Sequence, residues 1–284
     1  MLHDAGRNKA AALIELPAMQ TLIDIGANLT HDSFDRDRDA VLERAVNAGV
    51  ARMIVTGADA EGSAEALALA QAHPGVLWST SGVHPHYANE YSADTGLAIG
   101  KLARADEVVA IGEMGLDYFR NLSTHAEQEY AFESQLQIAA RMGKPVFLHQ
   151  RDAHQEFVAI IKNQLASLSG GVAHCFTGTQ QQMHAYLDMG FYIGITGWIC
   201  DERRGKDLQQ AVASLPLDRV LLETDAPYLL PRNLSKAQKQ QIDGRRCEPA
   251  LLPHVLEVAA ACMKTDSARL AEHATANTKR LFGL

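Results

Sequence analysis

The sequence predicts an α/β fold, a single-domain (β/α)8 barrel of the TIM type. Strand-like and helix-like runs alternate from about residue 22 to the C-terminus and give about eight strand–helix units, a number typical of a closed barrel rather than an open sheet. Glu113, His149, His174 and Asp225 each follow a short apolar run that is typical of a buried strand. The carboxyl ends of barrel strands meet at one mouth, so these four side chains are expected to lie together.

Five strands separated by four helices are predicted in the first part of the chain. The strands are residues 22–25, 52–55 and 76–81, followed by one that ends at Glu113 and one that ends at His149. The helices cover residues 36–48, 64–72, 95–105 and 125–142. Gly49 and Gly143, directly after the first and last of these helices, are typical C-terminal stops.

The second part of the chain repeats the alternation. Helices are predicted at residues 152–168, 180–189, 250–263 and 267–281, with a short one before the last strand. Strands are predicted up to His174, at 191–195 and at 221–224. The longest irregular segment, residues 227–249, follows the last strand and is rich in Arg, Lys and Gln. It is expected to form a loop or lid at the barrel mouth.

Length and charge limit the class of protein. The 284 residues suit one barrel, which we assign to residues 19–284. Residues 1–18 are interpreted as an N-terminal extension, either disordered or the product of an over-long translation start, because Met19 lies just before the first strand. The net charge of −8 argues against a basic face that coats duplex DNA non-specifically.

Cysteine usage predicts a cytoplasmic protein. The four cysteines include no Cys-x-x-Cys pair, and their spacing fits neither a disulfide framework nor a zinc knuckle, so we interpret them as reduced thiols. The N-terminus is a poor signal peptide, and no stretch reaches the length of a transmembrane helix. No membrane association is expected, and the chain is expected to be a monomer.

The four strand-end side chains are candidate ligands of a divalent metal ion. Each alone is more simply explained as a solvent-facing carboxylate, a hydrogen-bonded histidine or a turn-capping aspartate, but their shared position in four strands favours a metal site. Asp225 could ligate the ion or take a proton from an attacking water. Oxygen and nitrogen ligands without thiolate admit Mg²⁺, Mn²⁺ or Zn²⁺.

Three further residues are candidates for binding a phosphate group. His84 follows the third strand in His84-Pro85-His86, where the proline fixes the turn, although a polar rim residue explains it equally well. Arg203 and Arg204 follow the seventh strand, and barrel loops seven and eight often bind phosphate. The alternative for both arginines is an exposed ion-pair cluster with nearby acidic residues.

Five blocks of the sequence resemble the TatD family of metal-dependent deoxyribonucleases, within the amidohydrolase-like barrels. They are residues 82–86 (GVHPH), 112–117 (GEMGLD), 149–153 (HQRDA), 174–178 (HCFTG) and 223–228 (ETDAPY). The resemblance extends from about residue 22 to the C-terminus, and residues 197–205 resemble the subfamily that gives the family its name. It implies a Mg²⁺-dependent 3′-5′ exonuclease that acts on ends of single-stranded DNA, with RNA as a further substrate, in the repair of oxidative damage.

The first strand departs from the pattern of many relatives. Gly26 and Asn28 stand where those relatives carry a His-x-His pair, a departure that the namesake subfamily shares. The resemblance therefore implies one firm metal on Glu113, His149 and His174, and a second that needs substrate oxygens. Asp225 is then more readily a water-activating base, or a part-time ligand, than a permanent one.

Two alternative functions stay open from the sequence. A hydrolase with the same barrel and metal could act on an amide, a lactone or an aminoacyl ester, and the acidic net charge mildly favours this. A barrel that had lost catalysis together with the first-strand histidines could serve as a binding protein. The retained Glu113, His149, His174 and Asp225 argue against that second alternative.

Overall fold

A computed structural model describes residues 21–240, 242 and 244–284. The N-terminal extension predicted for residues 1–18 lies outside these residues. Eight β-strands are described, and each coincides with a predicted strand to within a few residues. They are β1 (Leu22–Ala27), β2 (Val50–Val55), β3 (Leu77–Ser81), β4 (Val108–Asp117), β5 (Val146–Arg151), β6 (Gly171–Ala173), β7 (Tyr192–Ile195) and β8 (Val220–Leu222).

Helices fill the connections between the strands. Those of the described residues are α1 (Arg38–Asn47), α2 (Ala60–Ala72), α3 (Ala93–Leu102), α4 (His125–Met142), α5 (His154–Gln164), α6 (Gln180–Asp188), α7 (Lys206–Val212), α8 (Lys236–Lys239), α9 (Leu252–Met263) and α10 (Ser267–Phe282). The longest, α4, begins with a reciprocal capping box of Thr124 and Glu127 and ends at Gly143 in the left-handed conformation. None of the described helices is both long and apolar enough to cross a lipid bilayer.

The strands form one parallel sheet in the order in which they occur along the chain, so the predicted (β/α)8 barrel is confirmed. Between the first and last strands the contact is a single parallel bridge rather than a full ladder, joining Ala27 to Ala226. Two hydrogen bonds support it: the amide of Asp225 donates to the carbonyl of Gly26, and that of Asn28 to the carbonyl of Ala226. Barrel closure therefore fixes Asp225 and Asn28 next to each other.

Two apolar clusters stabilise this architecture. The larger one packs the helices against the outer face of the sheet. The smaller cluster contains at least one buried side chain from each of seven strands, among them Ile25, Ile54, Phe147 and Leu221. It also contains Phe282 of the last helix. Since strand side chains alternate between two faces, this second cluster fills the barrel interior and leaves only the mouth open for polar groups.

β4 and β5 extend beyond their predicted ends, to Asp117 and Arg151. In β4 the extension is accompanied by a local irregularity in strand pairing. Between Ile111 and Met114 the pairing with β5 shifts register, so β4 carries one more residue than its partner. Gly112 and Gly115 have φ angles of +140° and +146°, and a Cβ atom there would lie 2.2 Å and 1.9 Å from carbonyl oxygens of β5. Only glycine permits this close approach, which places Glu113 within the strand rather than at its end.

Candidate metal centre at the barrel mouth

A cavity of about 250 Å³ opens at the carboxyl ends of the strands. It is lined by the predicted residues His84, Glu113, His149, His174 and Asp225. The structure thus brings together side chains that lie in, or shortly after, five different strands and are far apart in the sequence. Its other lining residues include Asn28, His86, Tyr87, Asp117, Arg120, Arg151, Cys175 and Tyr228.

One carboxylate oxygen of Glu113 is the centre of the cluster. Its Oε1 atom lies 2.9 Å from His149 Nδ1, 3.3 Å from His84 Nε2 and 3.5 Å from His174 Nε2. Three imidazoles converge on one buried oxygen. A metal ion can bind at such a site by replacing the protons that the imidazoles share with the carboxylate.

Asp117 lies beside His149 and the neighbouring His86 and was not among the residues singled out from the sequence. Its Oδ2 atom lies 2.8 Å from His86 Nε2 and 3.5 Å from His149 Nε2. It also accepts hydrogen bonds from the amide of Arg120. The only sequence signal was its position two pairs beyond Gly115 on the same strand, which becomes informative once β4 is known to continue to Asp117.

Glu223 orients His174 and was also missed. Its Oε2 atom lies 2.5 Å from His174 Nδ1, and its Oε1 atom accepts the amide of Cys175 at 2.6 Å. A carboxylate on Nδ1 keeps a proton on that nitrogen and turns Nε2 toward the cavity, where a metal ion can replace the second proton. Gly26 and Gly194 make room for this carboxylate, because a Cβ atom at either would lie 2.7 Å or 2.3 Å from its oxygens.

Asp225 sits on the opposite side of the cavity in a different environment. It adopts a left-handed conformation with φ of 57°, its Oδ1 atom accepts the side-chain amide of Asn28 at 3.1 Å, and His174 Nε2 lies 4.0 Å away. Burial raises the pKa of Asp225 to about 7, with His174 opposing the rise and Glu113 adding to it. A carboxylate with such a pKa is suited to accept a proton near neutral pH.

The pKa values across the cluster separate anionic, cationic and neutral groups. Burial would raise the pKa of Glu113, but His84 and His174 outweigh it and hold that pKa well below its usual range. Burial would lower the pKa of His149 and of His174, yet carboxylate partners raise them to about 9 and about 10. Burial dominates at His84 and lowers its pKa to about 4, so this imidazole is neutral at pH 7.

Hydrogen bonding distinguishes His84 from the other two imidazoles. His84 Nδ1 accepts the amide of His86 at 3.1 Å, which places the proton of the neutral ring on Nε2, facing Glu113. A nitrogen that carries a proton cannot ligate a metal. His84 is thereby arranged as a hydrogen-bond donor toward Glu113, and its contact with a phosphate stays a prediction.

The donor set fits a divalent metal ion. Two groups have ligand atoms within 4.8 Å of one another, one formed by His84, Glu113 and His149 and the other by His174, Cys175 and Asp225. The predicted ligands are therefore divided, with Glu113 and His149 in the first group and His174 in the second. His149 Nε2 is buried and has no hydrogen-bond partner among the described residues. Since buried polar atoms are rarely left unpaired, this orphaned nitrogen supports a ligand role for His149.

Arg203 and Arg204 are not brought to the cavity. The guanidinium of Arg204 pairs with Asp201 at 2.8 Å and lies over the ring of Trp198, 4.5 Å from its centroid. The amides of both arginines donate to Asp201, which caps the loop after β7. The ion pair considered as their alternative is present for Arg204, whereas Arg203 contacts Asp201 only through its backbone amide.

A parallel barrel with paired histidines and carboxylates at its mouth defines the class of metal-dependent barrel hydrolases. The chain belongs to the TatD-related DNase family, whose pattern it matches over residues 23–283. A protein of Erwinia tasmaniensis named 3′-5′ ssDNA/RNA exonuclease TatD is 48% identical over 263 residues, which cover 93% of this chain and 100% of the relative. A protein of that name from Citrobacter rodentium is 51% identical, covering 93% and 98%.

Solved structures support the same assignment. YJJV, a TatD homologue from Escherichia coli K12, aligns with a TM-score of 0.85 at 30% identity and covers 94% of this chain and 99% of its own. A TatD family hydrolase from Entamoeba histolytica aligns at 0.81 with 26% identity, covering 93% and 98%. An organophosphorus hydrolase from Deinococcus radiodurans, 13% identical with a TM-score of 0.59, shares the fold alone.

Proposed function

We propose that this chain is a metal-dependent 3′-5′ exonuclease that hydrolyses phosphodiester bonds at the ends of single-stranded DNA, with RNA as a further substrate. The observation that carries the proposal is the convergence of three imidazoles on Glu113 Oε1, in a family whose near relatives are named for this activity. The structure adds the physical reason, a buried site with ligands on one side and a carboxylate of raised pKa on the other.

Glu113, His149 and His174 would hold the metal ion, with Asp225 as an occasional fourth ligand. When bound, a divalent ion there polarises the phosphodiester and lowers the pKa of the attacking water. Glu223 keeps His174 in the tautomer that ligates through Nε2. Asp117 holds the neighbouring His86, with its Oδ2 atom 2.8 Å from His86 Nε2. We propose Mg²⁺ because the family resemblance implies it, while oxygen and nitrogen donors without an accessible thiolate also admit Mn²⁺ or Zn²⁺. Burial raises the pKa of Cys175 well above its usual range.

Asp225 would accept the proton of the attacking water. Its carboxylate is held in place by Asn28 rather than by a histidine, so it keeps one oxygen free toward the cavity. His84 would donate an Nε2–H hydrogen bond to a phosphate oxygen as negative charge develops, without transferring the proton. Both groups line the cavity.

The decisive experiment uses the full-length chain, stripped of metal and resupplied with Mg²⁺ or Mn²⁺. It is given single-stranded DNA labelled at its 5′ end, beside His149→Ala and Asp225→Asn variants. Stepwise shortening by the wild type, dependent on metal and lost in both variants, is the expected result. Shortening that persists equally in both variants would assign the activity to a contaminant and reject the proposal.

The same preparation separates the alternatives. Turnover of an amide, lactone or aminoacyl ester without shortening of DNA would favour a barrel hydrolase of another bond. Absence of both, with metal bound, would favour a non-catalytic barrel. We also propose that residues 19–284 form the catalytic domain of a monomeric, cytoplasmic enzyme that serves in repair of oxidative damage. Light scattering tests the monomer, and sensitivity of a deletion strain to peroxide tests the repair role.

A further inference from the structure

Two of the four exposed aromatic side chains of the described residues, Tyr87 and Tyr228, line the cavity, and a third, Phe119, packs against Arg151, which also lines it. Tyr87, Tyr228 and Phe119 are 42%, 52% and 56% exposed, whereas the fourth, Tyr130, lies on α4 and does not line the cavity. Single exposed aromatics are ordinary, but their concentration around one polar mouth is not, because exposed apolar area tends to mark binding surfaces.

Two arginines accompany these rings. Arg120 and Arg151 line the cavity, and within the described part of the chain neither guanidinium forms an ion pair with a carboxylate. The guanidinium carbon of Arg151 lies 3.9 Å from the centre of the Phe119 ring, which holds both side chains at the rim. Arg204, by contrast, is neutralised by Asp201. In an acidic chain, Arg120 and Arg151 therefore supply the local positive charge at the mouth.

The size of the cavity requires a substrate to extend onto this rim. Its volume of about 250 Å³ falls below the range of about 300–1,000 Å³ found for pockets that enclose a small ligand. It can accommodate the reacting phosphodiester with its sugar, while neighbouring bases and phosphates must rest outside.

We propose that Arg120 and Arg151 bind the phosphates adjacent to the scissile one, and that Tyr87, Phe119 and Tyr228 form the platform on which the terminal bases stack. Tyr228 is positioned for this by an edge contact with His31, with ring centroids 5.6 Å apart. Base–aromatic stacking is insensitive to sequence, so this rim selects flexible single strands with unstacked bases and disfavours a duplex. The assignment deepens the proposed nuclease function and rests on it for the identity of the ligand.

The test measures binding separately from hydrolysis. The probe is a fluorescent ten-nucleotide single strand with phosphorothioate linkages at its 3′ end, titrated with Mg²⁺-loaded full-length protein at several salt concentrations. Arg120→Gln and Arg151→Gln are each expected to weaken binding and to reduce the slope of log affinity against log salt by about 0.7, the value for one single-strand phosphate contact. Tyr87→Ala and Tyr228→Ala should each weaken binding about 5- to 150-fold with the salt slope unchanged.

Matched variants distinguish stacking and charge from general damage. Tyr87→Phe and Tyr228→Phe should bind within about twofold of the wild type, because the ring is retained. Arg203→Gln and Tyr130→Ala should do the same, because neither side chain lines the cavity. With an unprotected strand, the arginine and alanine variants should raise KM more than they lower kcat.

The outcomes separate this inference from the proposed function. The platform would be overturned if the rim variants bound the strand like the wild type, even if the enzyme shortens DNA. It would also be overturned if the phenylalanine variants lost as much affinity as the alanine variants. A wild type that binds the strand with the expected pattern but never cleaves it would support the platform and reject the nuclease. A wild type that does not bind single strands at all would overturn the platform outright.

Discussion

The two halves of the barrel mouth hold their carboxylates by different means. On the β4–β6 half, Glu113 is surrounded by imidazoles, and its pKa is held low. On the β8–β1 half, Asp225 is held by the amide of Asn28, and burial raises its pKa to about 7. The difference separates two tasks within one cavity, since the first half can retain a cation and the second can accept a proton.

Neutralising the carboxylate of the β4–β6 half should have the largest effect. Glu113→Gln keeps the shape of the side chain but removes the charge on which three imidazoles converge. We expect kcat/KM to fall more than about 1,000-fold, since a metal ion contributes several kcal/mol of charge stabilisation. Single-turnover hydrolysis and calorimetric Mn²⁺ binding measure the loss. Activity within tenfold of the wild type would remove Glu113 from the centre of the site.

Changing the β8–β1 half should affect chemistry without equal loss of metal. Asp225→Asn removes the proposed proton acceptor, and we expect kcat to fall about 100- to 10,000-fold. Metal affinity should change less than tenfold, because the ligands lie on the other half. Calorimetry on the same preparation provides the comparison. An equal loss of metal affinity and kcat would show that Asp225 is a full metal ligand and that the two halves of the mouth do not have separate tasks.

Glu223 links the two halves through His174 and should give an intermediate effect. Glu223→Gln leaves a hydrogen bond but no charge on His174 Nδ1, and we expect metal affinity to fall about 10- to 100-fold. Glu202→Gln, an exposed glutamate on the loop after β7, is the matched control and should be silent. Equal effects of the two substitutions would mean that Glu223 does not act through His174.

Gly26 on β1 offers a smaller test. A Cβ atom at Gly26 would lie 2.7 Å from Glu223 Oε2 and 3.3 Å from His174 Nδ1. We expect Gly26→Ala to cost about 1–3 kcal/mol of unfolding free energy by overpacking and to weaken metal binding. Gly100→Ala is the control, since its Cβ atom would meet only Ile138 at 3.9 Å. Urea unfolding measures both, and an unchanged Gly26→Ala would contradict the contact.

The smallest effect should come from an ion pair that supports the β8–β1 half from outside. Hydrogen bonds from Arg246 lower the pKa of Asp37 to about 2, and Arg44 adds to this. The folded-state value lies below the unfolded one, so the stabilisation is complete above about pH 4 and is lost as the pH falls toward 2. Asp37→Asn should cost about 1 kcal/mol at pH 7. The difference from the wild type should shrink at pH 3, as urea unfolding at both pH values would show.

Local patterns predicted most of the fold. Each strand and each major helix was placed within a few residues, because apolar periodicity and glycine stops are local properties of the chain. The exception is β4, where the extra residue between Ile111 and Met114 carries the strand on to Asp117. A register shift depends on the partner strand, and no pattern within β4 alone encodes it.

The site was predictable in its strand-end residues and not in their partners. Glu223 stood in a block that was recognised, yet its contact with His174 depends on space left by Gly26 and Gly194, on other strands. Arg203 and Arg204 follow the expected strand, but Asp201 draws the amides of both back into their own loop. The rule that the loops after the seventh and eighth strands bind phosphate therefore pointed to the mouth of the barrel, but the two arginines it selected do not line the cavity.

The sequence by itself determined the barrel, the family and the convergence of four metal-type side chains on one mouth. These follow from the order of short strands and helices, since parallel strands joined by helices can bring their carboxyl ends to only one edge. Only the tertiary structure decided which carboxylate faces the imidazoles, which ring nitrogen is free and which arginines are unpaired. Those properties arise from contacts of a few ångströms between distant segments, where burial and hydrogen bonding set the charge of each group.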